Sequence, residues 1–182
     1  MRKIVASFFM SLDGVVEAPQ NWHFPYLSDQ MQQAIGAQMG ASDTMLLGRR
    51  TYEEFAAYWA HQGSEVEFAD HINQTPKLVV STTLTSADWQ NSTLIGADAV
   101  ERLTEIKQGD GANIAITGSP TLVRSLITAG LLDELNLMIH PLIVGPGKRL
   151  WSEDLPQTAL TLTHSETFET GVLNLTYTPA QA

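Results

Sequence analysis

Three short stretches of this 182-residue chain put residues suited to a phosphorylated ligand where a strand-like run meets a helix-like one. The first is Gly48-Arg49-Arg50-Thr51, directly after the apolar Met45-Leu46-Leu47. A glycine lets the backbone turn close to a ligand, and a helix start offers free N–H groups. The threonine adds a hydroxyl, and arginine grips phosphate with a two-pronged fork. The second stretch is Ser81-Thr82-Thr83, after Lys77-Leu78-Val79-Val80. Hydroxyls at a strand end bond a ribose or phosphate, or else close their own turn. The third is Thr117-Gly118-Ser119-Pro120-Thr121, again strand, glycine, then helix. Taken singly, each also fits plain architecture, such as a helix start carrying two solvated arginines. Three in one small chain point to a ligand.

Other chemistries find less support. The chain has no cysteine, so disulfides, thiolate metal sites and a cysteine nucleophile are excluded. Gly145-Pro146-Gly147 is followed by Lys148-Arg149-Leu150, without the later glycine or the Lys-Ser/Thr pair of a phosphate loop. His23, His61, His71, His140 and His164 show no metal-ligand spacing and read as surface or packing residues, so no metal is expected. No Gly-x-Ser-x-Gly elbow exists for a hydrolase. The net charge of −10 repels nucleic acid and anionic membranes, although a local arginine cluster still attracts phosphate at short range. No apolar run approaches the roughly 18 residues needed to span a bilayer. The first ten residues turn polar too soon for a secretory signal, and the expected address is the cytoplasm.

The elements that must position these residues alternate strand and helix. Residues 3–10 form a continuous apolar run, as in a strand buried on both faces. Asp13-Gly14, Pro19 and Pro25 mark an irregular stretch from 11 to 26. Ser28 or Asp29 caps a helix to about Gly40, and Thr44–Gly48 is a buried strand. Helices follow over 50–59 and 65–74, then strands over 77–81 and 93–95. Asp98 caps a helix to Gln108, 113–117 is a strand, and Pro120 suits the first turn of the next helix. Residues 134–140 form a strand. The segments 159–168 and 172–178 meet across Glu169-Thr170-Gly171 as a hairpin. The pattern predicts one α/β domain over residues 1–182: a mixed, mostly parallel sheet flanked by helices, with an antiparallel hairpin at its end.

The order of Leu46-Leu47-Gly48-Arg49-Arg50-Thr51-Tyr52-Glu53, Val79-Val80-Ser81-Thr82 and Ile116-Thr117-Gly118-Ser119 resembles the dihydrofolate reductase superfamily. It is most similar to the branch that includes the C-terminal reductase domain of bacterial riboflavin-biosynthesis enzymes (RibD). Ser11-Leu12-Asp13-Gly14 and the stretch from Asp133-Glu134-Leu135 through Pro141-Leu142-Ile143-Val144-Gly145 match that branch as well.

The resemblance implies a three-layer dihydrofolate-reductase-like fold and an NADPH-dependent reductase. Such an enzyme passes hydride to a C=N or C=O of a small cyclic substrate, pterin-, pyrimidine-like or related. It places the cofactor at Gly48, Arg49, Arg50, Thr51, Ser81, Thr82, Gly118, Ser119, Thr121 and Leu122, and Asp13, Gly14 and Trp22 on the substrate side. The loop from Asp13 through Trp22 is then a mobile flap, with Gly14 as its pivot. Asp13 and Asp29 are the candidate proton donors. Trp22-His23-Phe24-Pro25 resembles the folate-reducing branch just ahead of its acid, yet the acid's position holds Leu27, which argues against true dihydrofolate reduction. A module that binds NADP(H) without turnover is the alternative. Relatives in the riboflavin branch also imply a homodimer, paired through residues 135–139 and the hairpin 159–178.

Overall fold

A computed structural model describes residues 1–153 and 155–180. Eight strands are joined in one sheet: β1 (Ile4–Ser11), β2 (Ser42–Gly48), β3 (Lys77–Val80), β4 (Ser92–Ile95), β5 (Asn113–Ile116), β6 (Glu134–His140), β7 (Leu160–Thr167) and β8 (Leu173–Pro179). Their order is β4-β3-β2-β5-β1-β6-β8-β7. The first six run parallel. β8 then pairs antiparallel with β6, and β7 with β8. Five helices cover the sheet: α1 (Asp29–Gly40), α2 (Arg49–Trp59), α3 (Ala69–Gln74), α4 (Ala99–Gln108) and α5 (Pro120–Thr128).

Alternation along the strands decides which residues meet which helices. Ile4, Ala6, Phe8 and Met10 of β1 join Leu135 and Leu137 of β6 on one face, under Leu103 of α4 and Val123 and Leu126 of α5. On the other face Met31, Ala34 and Ile35 of α1 close over Phe9, Met138, Phe168 and Val172. Farther along that face, Tyr52 of α2 and Ile72 of α3 pack on Leu47 and Val79. The result is helices, sheet, helices in three layers, as the strand–helix alternation predicts.

The structure decides or corrects several local expectations. Ser28 rather than Asp29 caps α1, its Oγ accepting the Met31 N–H. Asp98 precedes α4 without any side-chain cap. α3 starts only at Ala69, because Phe68 takes a left-handed backbone, φ 68°, that the helix cannot incorporate. β6 lies inside the sheet between β1 and β8, so residues 135–139 are not available to pair with a second copy.

Candidate functional site

In parallel strands the carboxyl ends lie on one edge of the sheet, which is where ligands of open α/β sheets collect. Reading across that edge, the strand order lines up Ser81 after β3, Gly48 ending β2, Gly118 after β5, Ser11 and Asp13 at the end of β1, and His140 ending β6. Three junctions scattered over 70 positions of sequence thus become neighbours because β2 pairs with both β3 and β5.

Two of the junctions interlock. A Cβ on Gly48 would stand 2.8 Å from the Ser119 Cβ, and one on Gly118 would stand 2.7 Å from the Thr51 Oγ1. Each glycine is therefore the only residue that lets the opposite helix start approach. Neither Gly48 nor Ser119 caps its helix with a side chain, which leaves first-turn N–H groups of α2 and α5 free at this seam. The Gly118–Ser119 peptide is cis. Thr121 is exposed, its Oγ1 accepting from Arg124 Nη2 at 3.3 Å. Leu122 packs its partly buried side chain against the core.

The arginines part ways. Arg49 lies along α2 with its Nη1 donating to both carboxylate oxygens of Glu53, at 3.1 and 3.2 Å. Arg50 is exposed and adds to the positive field at Glu17, whose carboxyl is held below its ordinary range chiefly by Lys148. Ser81 takes the second of its two options: its Oγ accepts the N–H groups of Thr83 and Leu84 at 3.1 and 3.0 Å. That hydroxyl is occupied by its own turn, and Thr82 beside it is exposed.

On the β1 side the two candidate acids sit in very different surroundings. The Asp13 carboxylate accepts from Ser11 Oγ at 2.6 Å, Val144 N at 3.1 Å and Gly145 N at 2.9 Å, with Arg149 at 3.4 Å. The Ser11 bond first, and then those backbone amides, hold its carboxyl down at about 2. These bonds tie the end of β1 to residues 142–149. Asp29 opens α1 two positions before the buried Met31, which at 100° per residue places it about 200° round the helix. It is exposed and points away from the sheet.

Gly14 is held by backbone hydrogen bonds on both sides. At φ 84° its N–H donates to Ser11 O, and its carbonyl accepts from Leu150 N. An antiparallel bridge from Val15 to Arg149, with Val16 N on Lys148 O, fastens the segment down. Beyond it, residues 19–26 form two short 3-10 turns. Trp22 is half-buried there, its Nε1 donating to Glu17 O at 3.1 Å.

The five histidines divide into surface and packing residues. His61, His71 and His164 are exposed, as expected of surface residues. His140 is 0% exposed and His23 8%. His23 stacks on Phe9 with ring centroids 4.7 Å apart, while Phe9, Trp22 and Tyr26 meet the His140 ring edge-on at 5.2–5.6 Å. His140 Nδ1 lies 2.9 Å from Met138 O. Burial pushes both imidazoles below their ordinary range. Among the described residues, His23 Nδ1 and His140 Nε2 are buried without a hydrogen-bond partner.

Among the described residues no three His, Asp or Glu side chains gather to hold a metal ion, and no helix is long and apolar enough to cross a membrane. A hollow of about 440 Å³ beside Asn73, Asp88 and Trp89 lies at the opposite, amino-terminal ends of β3 and β4. There the Asn73 side chain already pairs with Trp59 O and Trp89 Nε1.

This arrangement, a parallel sheet with two glycine-gated helix starts at its carboxyl edge and a hairpin closing one side, is the dihydrofolate-reductase-like α/β class. Residues 2–174 match the RibD C-terminal domain family, and the chain belongs to it. The uncharacterized Bacillus subtilis protein YyaP is 26% identical over 97% of this chain and 94% of its own. Among solved structures, a putative riboflavin biosynthesis protein from Shewanella sp. PV-4 superposes with a TM-score of 0.80 at 17% identity, covering 98% of this chain and 99% of that one. Dihydrofolate reductase from Enterococcus faecalis, complexed with NADP(H), gives 0.65 at 14% identity, over 98% and 97%.

Proposed function

We propose that the chain is an NADPH-dependent oxidoreductase that delivers hydride to a C=N or C=O carbon of a small, flat, cyclic substrate of the pterin or pyrimidine kind. The observation that carries this reading is the interlocked pair of junctions, where Gly48 and Gly118 leave no space for a side chain. A backbone surface of that kind, lined by uncapped N–H groups, fits the pyrophosphate of a dinucleotide. Family membership and a neighbour complexed with NADP(H) support it.

Gly48, Thr51, Gly118, Ser119 and the first turn of α5 hold the phosphates. Arg49 or Arg50 favours the extra 2′-phosphate, hence NADPH over NADH. NADPH, when bound, supplies the hydride. The protein aligns the two partners and excludes water, and a covalent nucleophile is unnecessary. With Asp13 ionised and Asp29 turned outward, the proton for the reduced product comes from water.

A second reading, an NADP(H)-binding or sensing module without turnover, is favoured by one observation: exposed Leu27 stands where the folate branch carries its acid. Parallel fluorescence titrations with NADPH and NADH test the site. Tight NADPH and weak NADH binding are expected, and binding of neither sinks both readings. NADPH oxidation across a pterin, pyrimidine and carbonyl panel then separates enzyme from sensor.

Self-association belongs to the same proposal. Leu162 and Leu173 are 50% and 37% exposed, on the sheet face that Leu175 and Tyr177 share beyond the reach of α5. A groove of about 370 Å³ opens there between Trp151, Leu160 and Tyr177. A second copy is the expected occupant, and light scattering at micromolar concentration decides.

A further inference from the structure

One half-buried arginine joins the two sides of the carboxyl edge. Arg124 lies in the second turn of α5, and its fork reaches two ways. Nη2 donates back to Thr121 Oγ1 at 3.3 Å, in the first turn assigned to the cofactor phosphates. Nη1 donates forward to Leu150 O at 2.9 Å and, more weakly, to Arg149 O at 3.4 Å. Arg49 and Arg149 each face a carboxylate, whereas Arg124 serves a hydroxyl and main chain. Its place is set by the geometry of the fork.

Beyond Leu150 the connection continues through backbone. Leu150 is fully buried, and its N–H donates to Gly14 O at 3.0 Å. Arg149 forms an antiparallel bridge with Val15, and its Nε donates to Asp13 O at 2.9 Å. Val16 N reaches Lys148 O at 2.9 Å. Gly147 comes so close to Val15 that a Cβ there would meet the valine Cγ1 at 2.8 Å. Residues 13–16 and 147–150 thus form one ribbon on the substrate side, and Arg124 fastens that ribbon to the start of α5.

Resting on the reductase reading, we propose that Arg124 is a positioning residue that couples the cofactor phosphates at the start of α5 to residues 13–16, so that a bound cofactor orders the substrate-side ribbon. The hydroxyl between them is what transmits. Thr121 Oγ1 accepts from Arg124, which leaves its own hydrogen to donate to a phosphate oxygen at the uncapped first turn. Hydrogen bonds in such a chain polarise and strengthen one another. Fixing the phosphate end therefore stiffens the arginine, and the arginine holds Leu150 O. The planar fork is essential, because a lysine keeps the charge but cannot hold a hydroxyl and a carbonyl in one rigid geometry.

The test follows amide hydrogen exchange at Gly14, Val15 and Val16 with and without saturating NADPH, in wild type, R124K and R124M. In wild type NADPH is expected to slow exchange there about 5- to 150-fold, the usual span of coupling between two sites. R124K is expected to bind NADPH nearly as tightly as wild type and yet to lose that protection. R124M loses it as well. A purely structural arginine would change exchange equally with and without cofactor. Protection that persists in both variants, or wild type that binds NADPH with no change at Gly14, Val15 and Val16, overturns the inference.

If neither Arg124 variant folds, T121V still decides. Thr121 is exposed, so the change leaves the core untouched while removing the hydroxyl link. T121V must lose the protection at saturating NADPH, and full protection in T121V overturns the inference. Failure of wild type to bind NADPH is a different result: it sinks the reductase reading itself, and with it the coupling that rests on that reading.

Discussion

Gly118 and Thr51 are in such close register that the threonine hydroxyl occupies the space a side chain on residue 118 would need, 2.7 Å from its Cβ position. The mirror relation, Gly48 against the Ser119 Cβ, is stiffer, because a Cβ cannot rotate away as a hydroxyl can. G48A is therefore the harsher change. It is expected to cost about 1–3 kcal/mol, the range for overpacking, and to weaken NADPH at least tenfold. G118A should do the same to a lesser degree. Chemical denaturation and fluorescence titration read the two effects, and an unaltered NADPH affinity in G48A would remove the junction from the cofactor site.

Arg49 offers a cleaner separation of binding from stability. Its ion pair with Glu53 is solvent-exposed and spaced i,i+4, so its loss should change stability by less than about 0.5 kcal/mol. A charge-assisted bond to the 2′-phosphate contributes about 1.5–3 kcal/mol, roughly ten- to hundredfold in affinity. R49A should weaken NADPH by that factor and leave NADH nearly unchanged. Equal weakening of both cofactors would show that Arg49 does not read the 2′-phosphate, and R50A is then the next variant.

The carboxylate of Asp13 should be visible in acid unfolding. A depressed carboxyl stabilises the fold above its ordinary value of 3.8, and that contribution fades as pH falls to about 2. Wild type should lose stability across that window. D13N should start less stable at neutral pH, show a smaller decline, and be cut sooner by protease within residues 142–149. A D13N protein with an unchanged acid profile and loop would mean that the bonds to Val144 and Gly145 have no energetic weight.

His23 and His140 predict a separate pH response. Both are held below the ordinary histidine value of about 6.5, so the unfolded chain takes up protons that the folded chain refuses. Stability should fall as pH drops below about 6.5 and level off beneath the folded values. The rings packed on His140, those of Phe9, Trp22, His23 and Tyr26, bring no carboxylate to reverse that sign. Melting temperatures from pH 8 to 5 check it, and H140F should flatten the slope. A protein that grows more stable on mild acidification contradicts the burial of these imidazoles as neutral groups.

Local pattern was enough to place most of the fold. The apolar run of β1, the glycine-to-helix junctions and the Glu169-Thr170-Gly171 turn announce themselves within a dozen residues. What stayed hidden depends on partners distant in sequence. Asp13 reads as a free acid until Val144 and Gly145 arrive, 131 and 132 positions later. Ser81 carries the same residues whether it faces a ribose or its own turn, and only the bonds to Thr83 and Leu84 tell which. Strand order is not written in any single strand, which is why β6 could be taken for an available edge.

That strand order also bears on how the chain is made. β1 occupies the middle of the sheet, yet its two neighbours begin at Asn113 and Glu134. During synthesis at about 5–20 residues per second, an apolar first strand therefore emerges roughly 5–20 s before either flank exists to cover it. Through that interval Ile4-Val5-Ala6-Ser7-Phe8-Phe9-Met10 has neither of the strands that pair with it in the folded sheet, so the central strand is the last of the early elements to find its partners.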